Sequence, residues 1–395
     1  MKTQHIPHIS ASGIRCHVCD ASAVQRVAGY ETFYRVTSDC KPWPKGGHLG
    51  VCQSCGCVEK VIDPLWESEV KQIYEAYSIY HQSEGVEQAV FDQTSGQTSS
   101  RSTYLMERLL AQVQLPEAGR LLDVGCGNGA LLRSFGRLAP HWSLAGIELN
   151  DKYRTVVESI NGVEGLYTCV PAEVPGTFNL ITLVHTLEHI LAPRDFIAQL
   201  RDKLRFDGLL VIQIPDYMQN PFDLLIEDHC THFTVATVTE LIQSAGFEVL
   251  SIATDWVPKE LTVVARKTDH QQEDCPSVST SQSMRSTVNS LQWLESVVTA
   301  AREISTQGNF GLFGTSIAAI WLFSELGGVV DFFVDEDPYR AGKTYMGCPV
   351  YPPQEVPSGS HVFIALPTRV AENIQTRMKR LPFSFDCYVP PPLFV

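Results

Sequence analysis

One stretch constrains this chain more than any other: Arg120-Leu-Leu-Asp-Val-Gly-Cys-Gly-Asn-Gly129. Its apolar start reads as a buried strand, and glycines at 125, 127 and 129 then make a tight turn. Glycine in such a turn lets the backbone approach a ligand closely. About 20 residues on, Glu148 closes the next apolar run, where an acid can take both hydroxyls of a ribose. The Gly-x-Gly-x-Gly spacing is not the Gly-x-Gly-x-x-Gly of a dinucleotide site.

Around this turn, strand and helix signals alternate from about residue 86 to 267. Leu144–Glu148, Phe178–Val184 and Gly208–Ile214 read as strands, and Asp195–Leu204 as a helix. Such alternation predicts an α/β fold with a mostly parallel sheet covered on both faces. Phe247–Ala253 and Glu260–Ala265 read as late strands able to pair antiparallel. The polar stretch 267–286 reads as a linker. A second βαβ pattern follows in 268–395: a helix Thr287–Ile304, strands Asn309–Phe313, Val329–Val334 and His361–Leu366, and helices Ile317–Leu326 and Arg369–Lys379. Gly311, Gly314 and Asp335 are spaced there like half a Rossmann site, which serves either nucleotide binding or packing over an acceptor pocket.

The block before residue 86 differs. Six of the 12 cysteines fall between Cys16 and Cys57. Cys16-His-Val-Cys19 and Cys52-Gln-Ser-Cys55 can each grip a metal from one side, and four thiolates satisfy tetrahedral Zn²⁺. Cys40 or Cys57 could replace one ligand. A closed four-sulfur shell makes such a zinc structural. A helix through Leu65–Tyr80, carrying Tyr74, Tyr77 and Tyr80, closes the block.

The net charge of −14, from 30 Lys and Arg against 44 Asp and Glu, disfavours sequence-independent nucleic-acid binding. No Lys/Arg run offsets it. The first residues lack an apolar signal region, and no stretch approaches a membrane span, so a cytoplasmic protein is expected. Oligomeric state is left open.

Two histidine-bearing segments could do chemistry. Leu187-Glu-His-Ile190 follows the strand ending at Val184 and offers His189, with His185 just before it. Ile226-Glu-Asp-His-Cys-Thr-His-Phe-Thr234 crowds Asp228, His229 and His232. Histidine titrates near neutral pH and can accept a proton, and Asp228 could orient His229. The plainer reading makes Thr234 a helix cap, with the histidines bonding backbone.

The turn and its acid resemble the first motifs of class I S-adenosylmethionine-dependent methyltransferases. That resemblance implies that Asp123, Gly125 and Gly127 hold the amino-acid part of the cofactor. It puts Glu148 on the ribose and Ala172-Glu173 beside the adenine. The order of the three blocks further resembles the sugar C-methyltransferases of deoxysugar and polysaccharide biosynthesis. These combine an N-terminal Cys₄ zinc domain, a central methyltransferase domain and a C-terminal Rossmann-like domain. Gly311-Leu-Phe-Gly-Thr-Ser-Ile-Ala-Ala319 and Val334-Asp-Glu-Asp-Pro-Tyr-Arg-Ala-Gly-Lys343, with Gly347-Cys-Pro-Val350, carry that likeness. It implies domains at 1–85, 86–267 and 268–395, and a nucleotide-linked 4-keto sugar as acceptor, methylated on carbon. The family's Tyr-His-Glu-His-x-x-Tyr-Phe segment falls on Ile226–Phe233. The proton-abstracting base then falls on His229, its Glu on Asp228 and its later Tyr on His232, while the leading Tyr is replaced by Ile226. His189 matches a further active-site histidine, and Tyr77 and Tyr80 belong to a segment that approaches the substrate. An O-methyltransferase using the same pocket is the alternative.

Overall fold

A computed structural model describes residues 14–77, 87, 89–91, 98–268 and 280–393. At its centre lies a seven-stranded sheet. In chain order its strands are Arg120–Val124, Ser143–Ile147, Val163–Tyr167, Phe178–Val184, Leu204–Pro215, Phe247–Ala253 and Glu260–Lys267. Numbered one to seven, they lie in the order 3-2-1-4-5-7-6. The first five pair in parallel, and the last is inserted antiparallel to both its neighbours. The α/β expectation therefore holds. Buried leucines, isoleucines and valines fill both faces, as a sheet covered on both sides requires.

One strand of this sheet escapes the sequence reading. Val163-Glu-Gly-Leu-Tyr167 forms the edge, and only Leu166 in it is fully buried. An edge strand needs little apolar patterning, so its sequence signal is weak.

The strand order reverses between strands one and four. In an open α/β sheet, the crevice at the carboxyl ends beside such a switch receives the ligand. The glycine turn follows strand one, and the Leu187–His189 turn follows strand four, so both line this crevice.

The N-terminal region forms a small antiparallel sheet from Val24–Arg26, Leu49–Cys52 and Val58–Lys60. Its fourth strand is Thr231–His232, contributed from far along the chain. Helix Pro64–Glu75 begins at Asp63, whose carboxylate accepts the Trp66 N–H, and Pro64 suits the first helical position. Trp66, Val70 and Ile73 make its buried face, and Trp66 and Val70 pack on Cys230. The helix ends at Glu75, before Tyr77, and Tyr80 lies outside the described residues.

The C-terminal region has a parallel sheet of its own. Phe310–Phe313, Phe332–Val334, Cys348–Tyr351, His361–Ile364 and Asp386–Tyr388 lie in the order 3-2-1-4-5, with Thr344–Tyr345 added antiparallel at one edge. Its first helix, Thr280–Ser305, starts inside the stretch expected as linker. Ser283 and Thr287 are buried there, and Thr287 donates to the Ser283 carbonyl, so polar residues serve a packed helix. This region shares one core with the N-terminal sheet: the Phe222 ring meets Trp293 and Trp321 edge-on at 5.3 and 5.6 Å.

Candidate active site

The glycine turn is held in a shape only small residues tolerate. Gly125 sits at φ +75°, and a Cβ there would stand 2.2 Å from Thr186 Oγ1. Gly127 and Gly129 are also left-handed, at +53° and +80°. Gly127 donates its N–H to one Glu148 oxygen at 2.8 Å, and Leu149 donates to the other at 2.8 Å. Asp123 is buried at the end of strand one and accepts from Thr182 Oγ1 at 2.7 Å. Burial pushes the Asp123 carboxyl up to about 7, against the pull of the Thr182 hydrogen bond, and Glu148 adds to the rise. Two acids thus flank a bare backbone turn at the switch point. That donor set fits a ligand with a cationic amino-acid end and a ribose. Glu173 lies exposed on the one-turn helix Pro171–Glu173 beyond strand three, at the same carboxyl-terminal rim.

The histidine segments meet across the crevice. The rings of His189 and His229 stand edge-to-face with centroids 4.7 Å apart. His229 is buried and donates through Nδ1 to Asp223 Oδ1 at 2.8 Å. His232 donates through Nδ1 to the other oxygen of Asp223 at 2.7 Å. Burial pushes the His229 imidazolium down, but Asp223 outweighs it, and the pKa lies above the ordinary histidine value. For His232 burial prevails and pushes it down to about 4. Burial disfavours ionised Asp223, yet the two imidazoles hold its pKa well below the usual carboxylate range.

Three expectations need correction here. Asp228 does not orient His229. Asp228 lies in a turn and instead accepts from the Ser38 N–H at 2.8 Å and from the Ser38 hydroxyl. The carboxylate on His229 is Asp223, from the one-turn helix Pro221–Leu225. His232 does not wall an open pocket, because it is fully buried on that same Asp223. Among the described residues, Tyr74 reaches the histidines, its hydroxyl 3.2 Å from His189 Nδ1. Tyr77 sits behind it, ring to ring at 6.2 Å. An Asp six residues before His229 was the available signal for Asp223, but spacing alone does not bring them together.

His189 donates through Nδ1 to the Asp228 carbonyl at 2.7 Å, which joins the two segments directly. His185 has φ +50°, rare for a non-glycine residue, and lies between Arg101, Glu188 and Glu260.

The segment carrying His229 is sewn into the N-terminal sheet. Glu227 N–H donates to Val36 O, Lys60 N–H to Cys230 O, and Trp66 Nε1 to Glu227 O. Arg35 and Lys60 face the buried Glu227 carboxylate at 2.7 and 3.9 Å. Just behind lies the cysteine cluster. Cys16 and Cys55 sulfurs are 3.6 Å apart, as are Cys19 and Cys52, and all four lie within 4.8 Å of one another. A tetrahedral zinc with bonds of about 2.3 Å needs sulfurs about 3.8 Å apart. The expected four ligands therefore converge with the right spacing. Cys40 lies elsewhere, its carbonyl accepting from Tyr345 Oη at 2.6 Å. His17, within the first cysteine pair, lies 3.0 Å from Thr231 Oγ1, which ties the cluster to the segment two residues past His229.

The sheet order and the acid-flanked glycine turn at its switch point define a class I methyltransferase fold. Residues 98–252 match the methyltransferase domain family. Among curated proteins, the mitochondrial ubiquinone biosynthesis O-methyltransferase of Schizosaccharomyces pombe is 35% identical over 100 residues, which is 24% of this chain and 36% of that protein. The tRNA U34 carboxymethyltransferase of Shewanella sediminis is 29% identical over 42% of this chain and 58% of its own. The chain thus spans about a third to somewhat over half the length of these relatives. A solved S-adenosylmethionine-dependent methyltransferase from Clostridium acetobutylicum aligns with 52% of this chain and 98% of its own, at 11% identity and a TM-score of 0.35. Among the described residues, no helix is long and apolar enough to cross a membrane.

Proposed function

We propose that the protein is an S-adenosylmethionine-dependent C-methyltransferase acting on a nucleotide-linked keto-deoxysugar. The observation that carries this is the buried Asp223–His229 pair facing His189, at the crevice the cofactor turn defines. Transfer to a neutral amine needs only alignment, whereas a hydroxyl or a carbon beside a ketone needs a base, and the carbon also needs its enolate stabilised. With Nδ1–H committed to Asp223, His229 presents Nε2 as a proton acceptor, and the carboxylate stabilises the imidazolium that forms. The proton leaves the carbon next to the ketone for Nε2, and the C–H electron pair passes into the enolate. S-adenosylmethionine, held by Asp123, the Gly125–Gly127 backbone and Glu148, supplies an electrophilic methyl group for that carbon. His189, fixed by Asp228 O and Tyr74, completes the wall against which the acceptor lies.

Support for a large, two-part acceptor comes from the C-terminal region. Its helix Ile317–Leu326, which follows the turn at Gly314, lies beside the N-terminal ribbon Arg35–Trp43, and Ser38 of that ribbon bonds Asp228. A nucleotide at that turn and a sugar at His229 would occupy one continuous surface. The four-cysteine cluster holds a structural zinc in this reading. O-methylation is the second reading, favoured by the relatives named as O-methyltransferases.

Solvent exchange tests the choice. Purified protein with nucleotide-linked 4-keto-6-deoxy sugars in D₂O should incorporate deuterium beside the ketone. With S-adenosylmethionine it should then add one methyl on carbon, followed by NMR and mass spectrometry. Methyl gain on oxygen without exchange would overturn C-methylation in favour of the second reading.

A further inference from the structure

We propose that Glu188, His189 and His229 form a divalent-cation site, separate from the cysteine cluster, whose occupation takes the His229 nitrogen needed for proton abstraction. One ligand atom from each of the three lies within 4.8 Å of the others. Glu188 and His189 come from the turn after strand four, and His229 from the segment across the crevice.

Glu188 supplies an independent pointer. It is 1% exposed, and neither carboxylate oxygen has a hydrogen-bond partner among the described residues. Its nearest charged neighbour is His185 Nδ1, 3.3 Å from Oε1. His185 compensates Oε1, but Oε2 stays buried without a partner among the described residues, which is costly, and a bound ion would satisfy it.

The two imidazoles are prepared as metal-binding histidines are. A ligating histidine donates its other ring N–H to a carboxylate or a backbone carbonyl, which fixes tautomer and orientation. His229 gives Nδ1–H to Asp223 at 2.8 Å, and His189 gives Nδ1–H to the Asp228 carbonyl at 2.7 Å. Each ring therefore turns an Nε2 lone pair to other partners. Two imidazoles and one carboxylate suit Zn²⁺, Co²⁺ or Fe²⁺ rather than Mg²⁺ or Ca²⁺, and three protein ligands leave a coordination position open. Because His229 has one such lone pair, cation binding and base action exclude each other. The binding claim stands on the geometry alone, and the exclusion claim rests on the base reading above.

Cobalt titration of the full chain, with zinc retained on its cysteines, tests this. The protein should take up one further equivalent of Co²⁺, with visible d–d bands and no thiolate charge-transfer band. Glu188→Gln and His189→Ala should each lose that equivalent while keeping their S-adenosylhomocysteine affinity, which certifies the fold. No extra equivalent in the unmodified protein, or its retention by both variants, would overturn the site. Ketone-adjacent deuterium exchange in chelator-treated protein should fall in step with cobalt occupancy. Full exchange at saturating Co²⁺ would overturn the exclusion. Absence of exchange in the chelated protein would instead refute the base reading, and the cobalt spectrum would still decide the site.

Discussion

The two sides of the crevice are built by different means. In the proposed reading the cofactor side comes from two neighbouring strands and their turns: Asp123 lies on the first strand, Gly125 and Gly127 in the turn after it, and Glu148 just past the end of the second. The acceptor side is assembled from Ser38, Tyr74, His189, Asp223 and His229, which no single element unites. The first is a property of the sheet. The second depends on the N-terminal region staying docked, so damage should separate the two functions cleanly.

The largest separation is expected at His229. His229→Ala should lower turnover by about 10²- to 10⁴-fold, the usual worth of a positioned base. S-adenosylhomocysteine affinity, measured by calorimetry, should stay within about twofold; parallel loss of both would erase the distinction. Gly125→Ala should do the reverse, because its Cβ would overlap Thr186 and its backbone is left-handed. Strain of roughly 1–3 kcal/mol makes cofactor binding about 5- to 150-fold weaker. Its far-ultraviolet circular dichroism should be unchanged.

Cys52→Ser probes the docking itself. With one sulfur gone, zinc content should drop, and the melting temperature of the N-terminal transition should fall. Acceptor turnover should suffer more than cofactor affinity; equal loss would show that the cluster supports both sides. A gentler test is Asp223→Asn, which keeps the shape but removes the charge facing His229 and His232. Turnover should fall roughly tenfold or more, with S-adenosylmethionine affinity unaltered.

The smallest effect belongs to Asp123. Its carboxyl is neutral below a pKa of about 7 and ionised above it. A cationic amino-acid end bound beside it favours the ionised form, so binding near pH 7 should release a fraction of a proton. Affinity should rise as pH passes upward through 7. Calorimetry in buffers of different ionisation enthalpy reads the release directly, and buffer-independent heats would place the cation elsewhere.

The same contrast governs what was legible in the sequence. Strands Arg120–Val124 and Phe178–Val184 stand where apolar runs put them, since burial on both faces writes itself into composition. The cysteine spacing likewise foretold the four sulfurs that converge. The acceptor side was legible only in part. His229 and His189 could be picked as chemical groups, but their partners depend on tertiary approach. Asp228 is adjacent to His229 and points away, whereas Asp223 is six residues off and bonds it. Ser283 misleads for a related reason: a polar residue reads as linker although it is buried in a packed helix, its carbonyl accepting from Thr287.

The pairing of Thr231–His232 with Val58–Lys60 has a consequence for how the chain is made. The strand Val58–Lys60 is synthesised long before its partner Thr231–His232. Until residue 232 has been translated, the strand Val58–Lys60 keeps an unpaired edge, and unpaired edges invite other strands. Glu59 and Lys60 put charge on that edge during the wait, and both are buried once the late strand arrives.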